Sequence, residues 1–205
     1  MNAFGKSAIR EKHANLVGIT SALAGEGKTF TALNLAVSMA MEQDRTVLLI
    51  DGDNARASLT KMAGLDGAGG LIDILTGEID NYENVIYRTD IAKLSFMPSG
   101  KQNIYSTELY ASKKMEQLIN HLAESYRDRI ILIDTPPLLQ ASQSKVLAQQ
   151  VGQILIIVEE GKTVQQSIVQ AISQIDSKKI IGLILNKRKY STISEYYGGY
   201  YGNED

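Results

Sequence analysis

Ala22-Leu23-Ala24-Gly25-Glu26-Gly27-Lys28-Thr29 stands between a short apolar run, Leu16 to Thr20, and a stretch of Ala, Leu, Met and Val at helical spacing, Lys28 to Gln43. From its second half onward the octapeptide matches the phosphate-binding P-loop, with Ala22 where that pattern usually begins on Gly. Glycines let backbone N–H groups from Gly25 to Thr29 approach phosphate oxygens closely. The start of the following helix adds partial positive charge. Lys28 is placed to bridge the β- and γ-phosphates of a nucleotide, and Thr29 to offer its hydroxyl to magnesium. A chance Gly-Lys-Thr in a Gly-rich turn would not carry a strand on one side and a helix on the other.

Outward from this loop, further β-branched runs recur at Val47 to Ile50, Leu94 to Met97, Ile130 to Ile133, Ile154 to Val158 and Ile180 to Leu185. They are nearly continuous in apolar residues, as in strands covered on both faces. Between them Glu108 to Tyr126 and Val164 to Asp176 read as amphipathic helices. Gly64 to Gly70 reads as a surface loop. Strands alternating with helices predict an α/β domain, a mostly parallel, doubly wound sheet flanked by helices. Residues 1–189 form that domain. Residues 190–205 break the pattern: Tyr190, Tyr196, Tyr197, Tyr200 and Tyr201 are half of the ten tyrosines and follow no strand or helix period, which predicts a flexible tail.

Two of the strands end in acid. Val47-Leu48-Leu49-Ile50-Asp51-Gly52-Asp53 carries two carboxylates, and Ile130-Ile131-Leu132-Ile133-Asp134-Thr135-Pro136-Pro137 carries one. Ligands of open parallel sheets collect at the carboxyl ends of the strands, so Asp51, Asp53 and Asp134 are expected to face the same phosphates as Lys28. Magnesium takes few carboxylates and keeps waters. Asp134 suits a Walker B carboxylate, and Asp51 and Asp53 suit orienting the ion and acting on an incoming hydroxyl. An aspartate capping the next turn is the alternative for either run taken alone.

Composition removes several other classes. The chain has 205 residues, 44% hydrophobic and 21% charged, with formal net charge -2. That gives no overall positive field for nucleic acid or anionic lipid. No cysteine is present and only His13 and His121 are histidines, which excludes disulfides, thiolate metal sites and cysteine nucleophiles. No stretch reaches the roughly 20 apolar residues of a membrane helix, and Met1 to His13 lacks the apolar core of a secretory signal. A reducing cytoplasm fits this composition.

With these motifs placed, the chain resembles the bacterial tyrosine kinases that control exopolysaccharide synthesis, most nearly the exosortase-associated tyrosine autokinases. The resemblance runs through SALAGEGKTFTALNLA, VLLIDGDNARASL, GLIDILTGE, ELYASKKM, IILIDTPPLL, IIGLILNK and the terminal YYGGYYG. It implies that ATP and magnesium bind at Ala24, Gly25, Glu26, Gly27, Lys28, Thr29 and Phe30, with Asn186 near the adenine. Thr29, Asp51, Asp53 and Asp134 would serve the metal. Lys28, Asp51 and Asp53 would be catalytic, Asp51 as base toward a tyrosine hydroxyl. Tyr196, Tyr197, Tyr200 and Tyr201 would be the autophosphorylated residues. A mobile Tyr-Gly tail supplies acceptor at high local concentration without a dedicated groove. The resemblance further implies self-association, a membrane-spanning polysaccharide chain-length regulator as activating partner, and a cytoplasmic location at the inner membrane face through that partner. A segment commonly precedes this domain, which makes Met1 a candidate late start.

There are departures from the family pattern. Ala55 occupies the position of the arginine in the family's Asp-x-Asp-x-Arg pattern, and Arg56 follows it. Ser142, Gln143 and Ser144 stand where an acidic residue often follows the Walker B prolines, and the Glu/Arg-rich N-terminal ring-forming motif is not found. Two rivals follow from the same residues. A partition-type switch ATPase typically has a signature lysine at the position of Leu23. A non-catalytic nucleotide-sensing scaffold would bind without transfer.

Overall fold

The computed structural model describes residues 13–42, 45–125 and 129–188. Its frame is a seven-stranded sheet built from β1 (Leu16–Ser21), β2 (Thr46–Asp51), β3 (Tyr87–Arg88), β4 (Leu94–Met97), β5 (Arg129–Asp134), β6 (Gln153–Glu159) and β7 (Ile180–Asn186). The strands lie in the order β3-β4-β2-β5-β1-β6-β7. Every neighbouring pair is parallel except β3 with β4. Seven helices accompany them among the described residues: α1 (Lys28–Ala40), α2 (Ser58–Met62), α3 (Leu71–Thr76), α4 (Ser106–Tyr110), α5 (Lys113–Ser125), α6 (Ser142–Gln150) and α7 (Gln165–Ile172). A 3₁₀ turn spans Tyr82–Val85. None of these helices is long and apolar enough to cross a membrane.

The continuous apolar strands are explained by two cores, one on each face of the sheet. On one face Leu48, Ile50, Ile131, Ile133, Ile154 and Ile156 pack with residues of α3 to α7, including Ile72, Tyr110, Leu122, Leu147 and Ala171. On the other face Val47, Leu49 and Leu132 pack against α1 and Leu59 of α2. Along the inner strands the alternation is thus between two apolar environments and no polar face remains to be read, whereas edge strand β7 leaves Ile180, Leu183 and Leu185 exposed. Ala32, Ala36 and Ala40 recur every four residues on α1 and are buried. Their small side chains set that helix close to the strands.

The six expected strands are present. The helix expected over Glu108 to Tyr126 is instead two, α4 and α5, broken at Ala111 and Ser112. Ser112 Oγ accepts the Met115 amide at 3.3 Å, so a side chain takes over a turn of backbone hydrogen bonding and starts a new helix. The break also sends Tyr110 inward, where its hydroxyl donates to Gly52 O at 3.0 Å. Helix α7 ends at Ile172, short of Asp176. Helices α2, α3 and α6 and strand β3 were not read from the sequence. Gly64 to Gly69 is loop, as expected, and Gly70 is buried against the segment that follows β4. The tail, residues 190–205, lies outside the described residues.

Gly70 ties α3 to that segment. Leu71 and Ile72 donate to Pro98 O and Ser99 O at 2.9 and 3.0 Å. Asp73, buried, accepts from Gly70 N at 2.8 Å and Lys101 N at 3.3 Å. A Cβ at position 70 would lie 2.3 Å from both Pro98 O and Gly100 N, and backbone cannot yield as a side chain does. Gly70→Ala is expected to lower the thermal unfolding midpoint by roughly 4–10 °C, from an overpacking cost of about 1–3 kcal/mol. An unchanged midpoint in differential scanning calorimetry would contradict this packing.

Candidate functional site

Strand register assembles the site. Ile19 of β1 and Asp51 of β2 both lie level with Asp134 of β5, so the two strand-ending acids and the loop leaving β1 meet at one edge of the sheet. The loop turns through Gly25 and Gly27, at φ +87° and +95°, a region that L side chains rarely adopt. Gly27 is also the residue before α1, and a Cβ there would come within 2.2 Å of Asn186 Nδ2.

Lys28 is buried and its ammonium donates to Asp53 Oδ2 at 3.1 Å and to Thr29 Oγ1 at 3.1 Å. Asp134 Oδ1 lies 3.6 Å from the same nitrogen. Thr29 Oγ1 donates to Asp134 Oδ2 at 2.7 Å. Lysine, threonine and two aspartates therefore form one cluster at the start of α1. Asp134 is fully buried, and its Oδ1 accepts no hydrogen bond. Burial pushes its carboxyl up to about 6, against the opposing pull of Lys28 and the Thr29 hydroxyl.

Asp51 lies behind this cluster. Its Oδ2 accepts the Thr60 amide and hydroxyl at 2.9 and 2.8 Å, and its Oδ1 the Asp53 amide at 3.2 Å. Burial raises its carboxyl above the ordinary range, with hydrogen bonds from Thr60 working against the shift. The charges of Asp51 and Asp53, after burial itself, push the Tyr110 phenol upward. Among the described residues no three acidic or histidine side chains converge as metal ligands. A hard ion that takes one or two carboxylates and retains water is compatible with Thr29, Asp53 and the unsatisfied oxygen of Asp134. Asp51 Oδ2 is taken up by the Thr60 amide and hydroxyl, while Oδ1 accepts the Asp53 amide alone.

The remaining expected residues brace the loop or flank it. The Glu26 side chain is buried and turned inward, accepting from Leu23 N at 2.8 Å and from the Thr163 hydroxyl. Asn186 donates to Glu26 O at 2.9 Å, at the loop backbone. Ala24 donates its amide to Gln140 Oε1 at 3.0 Å. Phe30 is 67% exposed. Arg56, beside the Ala55 departure, contributes its backbone amide to Asp53 Oδ1 at 3.3 Å. Sequence reasoning missed Thr60, Gln140, Thr163 and Lys187. Lys187 Nζ donates to Gly25 O at 2.5 Å and to Glu159 Oε2 at 3.0 Å, and that bond is the largest cause holding the Glu159 carboxyl below its usual range. Adjacency to Asn186 was the one available signal for Lys187. The others act through chain folding and carry no local motif.

The raised Asp134 carboxyl has a thermodynamic consequence. A carboxyl whose folded value lies above its unfolded value binds the proton more tightly when folded. Stability is therefore greatest below the unfolded value of 3.8 and falls as pH rises through about 6. The loss is on the order of 3 kcal/mol, from about 1.4 kcal/mol per unit. Asp134→Asn keeps an acceptor for Thr29 and removes that ionisation. Without nucleotide, the variant is expected to melt several degrees above the parent at pH 7.5 and to show a flatter stability profile between pH 4 and 6. A lower midpoint at pH 7.5 would refute the assignment of the strain to this carboxylate.

Comparison with known proteins supplies the family. The AAA domain family model matches residues 14–186. Over 197 residues the chain is 32% identical to the tyrosine-protein kinase YwqD of Bacillus subtilis (strain 168), covering 95% of this chain and 81% of that protein. Over 181 residues it is 32% identical to the tyrosine-protein kinase ptk of Acinetobacter johnsonii, covering 87% of this chain and 24% of that much longer protein. Among solved structures, the kinase domain of VpsO superposes with a TM-score of 0.76 at 31% identity, covering 85% of each chain. The chain belongs to the AAA domain family and, within it, to the bacterial tyrosine-protein kinases.

Proposed function

We propose that this chain is an ATP-dependent protein-tyrosine autokinase whose acceptors are Tyr196, Tyr197, Tyr200 and Tyr201. The observation that carries the reading is the buried cluster of Lys28, Thr29, Asp53 and Asp134 at the mouth of the P-loop. Lys28 exchanges its carboxylate partners for the β- and γ-phosphate oxygens of ATP, and the loop amides from Gly25 to Thr29 surround the same phosphates. Thr29, Asp53 and Asp134 would hold magnesium, whose charge neutralises the phosphate oxygens. Asn186, against the loop at Glu26, flanks the base, with Phe30 beside the loop.

In the transfer, the phenolic oxygen bonds to the γ-phosphorus as the bond from that phosphorus to the β,γ-bridging oxygen breaks. ADP departs with the electron pair, and the phenolic proton passes to Asp51. A free phenol titrates near 10 and is a poor nucleophile at neutral pH. A carboxylate made more basic by burial, as Asp51 is, takes the proton more readily. Its Oδ1, engaged only by the Asp53 amide, is the oxygen for that role.

The wider setting belongs to the same reading. The domain, residues 1–189, works in exopolysaccharide synthesis at the inner membrane face. A membrane-spanning chain-length regulator is its activator, and copies of the chain assemble with one another. Residues 190–205 serve as its substrate segment. Leu23, in place of a signature lysine, counts against the partition-type switch ATPase.

Incubation with ATP and magnesium followed by mass spectrometry of peptide 190–205 tests the reading. Phosphate is expected on Tyr196 to Tyr201, and Lys28→Met is expected to reduce its rate at least about 100-fold, in keeping with loss of a charge-stabilising donor. Free phosphate released without modified tyrosine would favour the switch ATPase. Tail phosphorylation unchanged in Lys28→Met would place the transfer in another enzyme.

A further inference from the structure

Under the turn that carries Asp51 and Asp53 lies a fully buried phenol, that of Tyr110, whose hydroxyl donates to Gly52 O at 3.0 Å. Tyr110 is the last residue of α4, a helix anchored on the side of β5. Gln143 Nε2 donates to Ser106 Oγ at 3.2 Å, and the Thr107 and Ser142 hydroxyls meet at 3.1 Å. Both partners open α6, the helix that follows the strand of Asp134. The phenol therefore reaches the turn after β2 from a support fixed beside β5. A phenol keeps its proton at neutral pH, so this hold adds no charge next to the two carboxylates.

Each peptide of the turn is held by a different partner. The Gly52 amide donates to Asp134 O at 2.8 Å, which fixes the peptide from Asp51 to Gly52. Asp53 O accepts the Arg56 and Ala57 amides at 3.1 and 2.6 Å, which fixes the peptide from Asp53 to Asn54. Between them lies the peptide from Gly52 to Asp53. Its carbonyl is held by Tyr110 and by no other hydrogen bond among the described residues. Its N–H donates to Asp51 Oδ1 at 3.2 Å. A peptide is planar, so its carbonyl and amide turn together. Holding Gly52 O thus aims the Asp53 N–H at Asp51. Glycine makes the hold necessary. A Cβ at position 52 would lie 2.8 Å from Asp134 O, so the close approach of the two strand ends demands glycine there. Glycine in turn leaves its flanking peptide free to rotate, and Tyr110 supplies from α4 the restraint that a side chain in the turn cannot.

We propose that Tyr110 is a positioning residue for phosphoryl transfer: by holding Gly52 O it fixes the peptide whose N–H orients Asp51 Oδ1, the oxygen that receives the phenolic proton of the acceptor. The inference rests on the kinase reading for its chemical purpose. Fully buried, Tyr110 reaches neither nucleotide nor acceptor and acts only through the turn. Without its hydroxyl the Gly52–Asp53 peptide gains a second orientation, in which Asp51 Oδ1 loses the Asp53 amide. Proton transfer needs the accepting oxygen within hydrogen-bond reach in one geometry, so the loss falls on the transfer step. Lys28, Thr29 and the amides from Gly25 onward belong to the loop after β1 and the start of α1. None of them is held by Tyr110, so nucleotide binding is spared.

The test uses the full chain, with Tyr110→Phe removing one oxygen. At saturating ATP and magnesium the rate of tyrosine phosphorylation is expected to fall roughly 10- to 100-fold, the scale on which small misplacements slow a reaction. The half-saturating ATP concentration and the calorimetric ADP affinity are expected to stay within about twofold of the parent. Replacing Tyr110 by p-aminophenylalanine, which restores a donor toward Gly52 O, is expected to recover the rate to within about threefold. Ile119→Val trims the same core by one methylene and is expected to lower stability while leaving the rate within about twofold. In amide NMR spectra recorded without ATP, the Asp53 resonance of Tyr110→Phe is expected to broaden or split while those of Gly25 and Gly27 stay in place. Should Tyr110→Phe fail to fold, p-methylphenylalanine, which fills the space without a donor, takes its place. An unchanged rate without the donor, an equal loss in Ile119→Val, no recovery with the amino group, or an unmoved Asp53 amide overturns the role. A parent chain that transfers no phosphate to tyrosine removes the kinase reading instead, and the Asp53 amide then decides alone whether Tyr110 holds the turn.

Discussion

The arrangement of the whole molecule turns on one buried cation, the Lys28 ammonium, held by Asp53 and Asp134 in a place with little water. Three charged side chains withdrawn from solvent are costly unless each is compensated, and the compensation here is incomplete. Asp134 keeps an oxygen with no hydrogen bond and a carboxyl displaced upward by its own burial. The cluster fits a site whose charges are arranged for a polyanion and its metal, and which is under electrostatic tension without them. Such tension is tolerated only because the frame around it is rigid. That frame is the pair of cores on the two faces of the sheet, which fix the carboxyl ends of β1, β2 and β5 side by side.

Rigidity at the loop itself has a different origin. Gly25 and Gly27 leave the backbone free to turn, and an unbraced glycine loop would lose much entropy on closing around phosphates. Thr163, Asn186 and Lys187 supply the bracing from the turn after β6 and the end of β7, touching the loop through its backbone carbonyls or through the Glu26 carboxylate. Thr163 also accepts the Glu159 amide at 3.1 Å, so the turn after β6 and the end of β7 are joined to the loop after β1. The acidic residue inside the motif is therefore best understood as an internal strut. Its side chain faces protein, and only its amide is available to a ligand.

How far the sequence was legible follows from the range of each interaction. All six apolar runs are strands, five of them buried by the two cores and the sixth, β7, an edge strand with Ile180, Leu183 and Leu185 exposed. Strand β3 has two residues, too short for any period. Helices α2 and α3, at five and six residues, show fewer than two turns of pattern and are held by tertiary bonds such as those of Leu71 and Ile72 to Pro98 O and Ser99 O. The α4–α5 break hinges on one serine hydroxyl. In the site, Lys28, Thr29 and the aspartates were legible because phosphate and metal chemistry demands those types beside strand ends. Thr60 was not, since its hydroxyl meets Asp51 only through the fold, nine positions along the chain.

Asp51 shows why position in a motif is weaker evidence than hydrogen bonding. A motif places two equivalent carboxylates after β2, yet their surroundings differ. Asp53 lies beside Lys28, whereas Asp51 is held from behind by Thr60, which in turn accepts the Ser99 amide at 3.0 Å. Through that chain Asp51 is coupled to the segment after β4. Asp51 therefore answers to the segment after β4, while Asp53 answers to Lys28 and the P-loop beside it. The two carboxylates stay joined through the Asp53 amide, which donates to Asp51 Oδ1 at 3.2 Å, so two separately supported groups meet in one turn after β2.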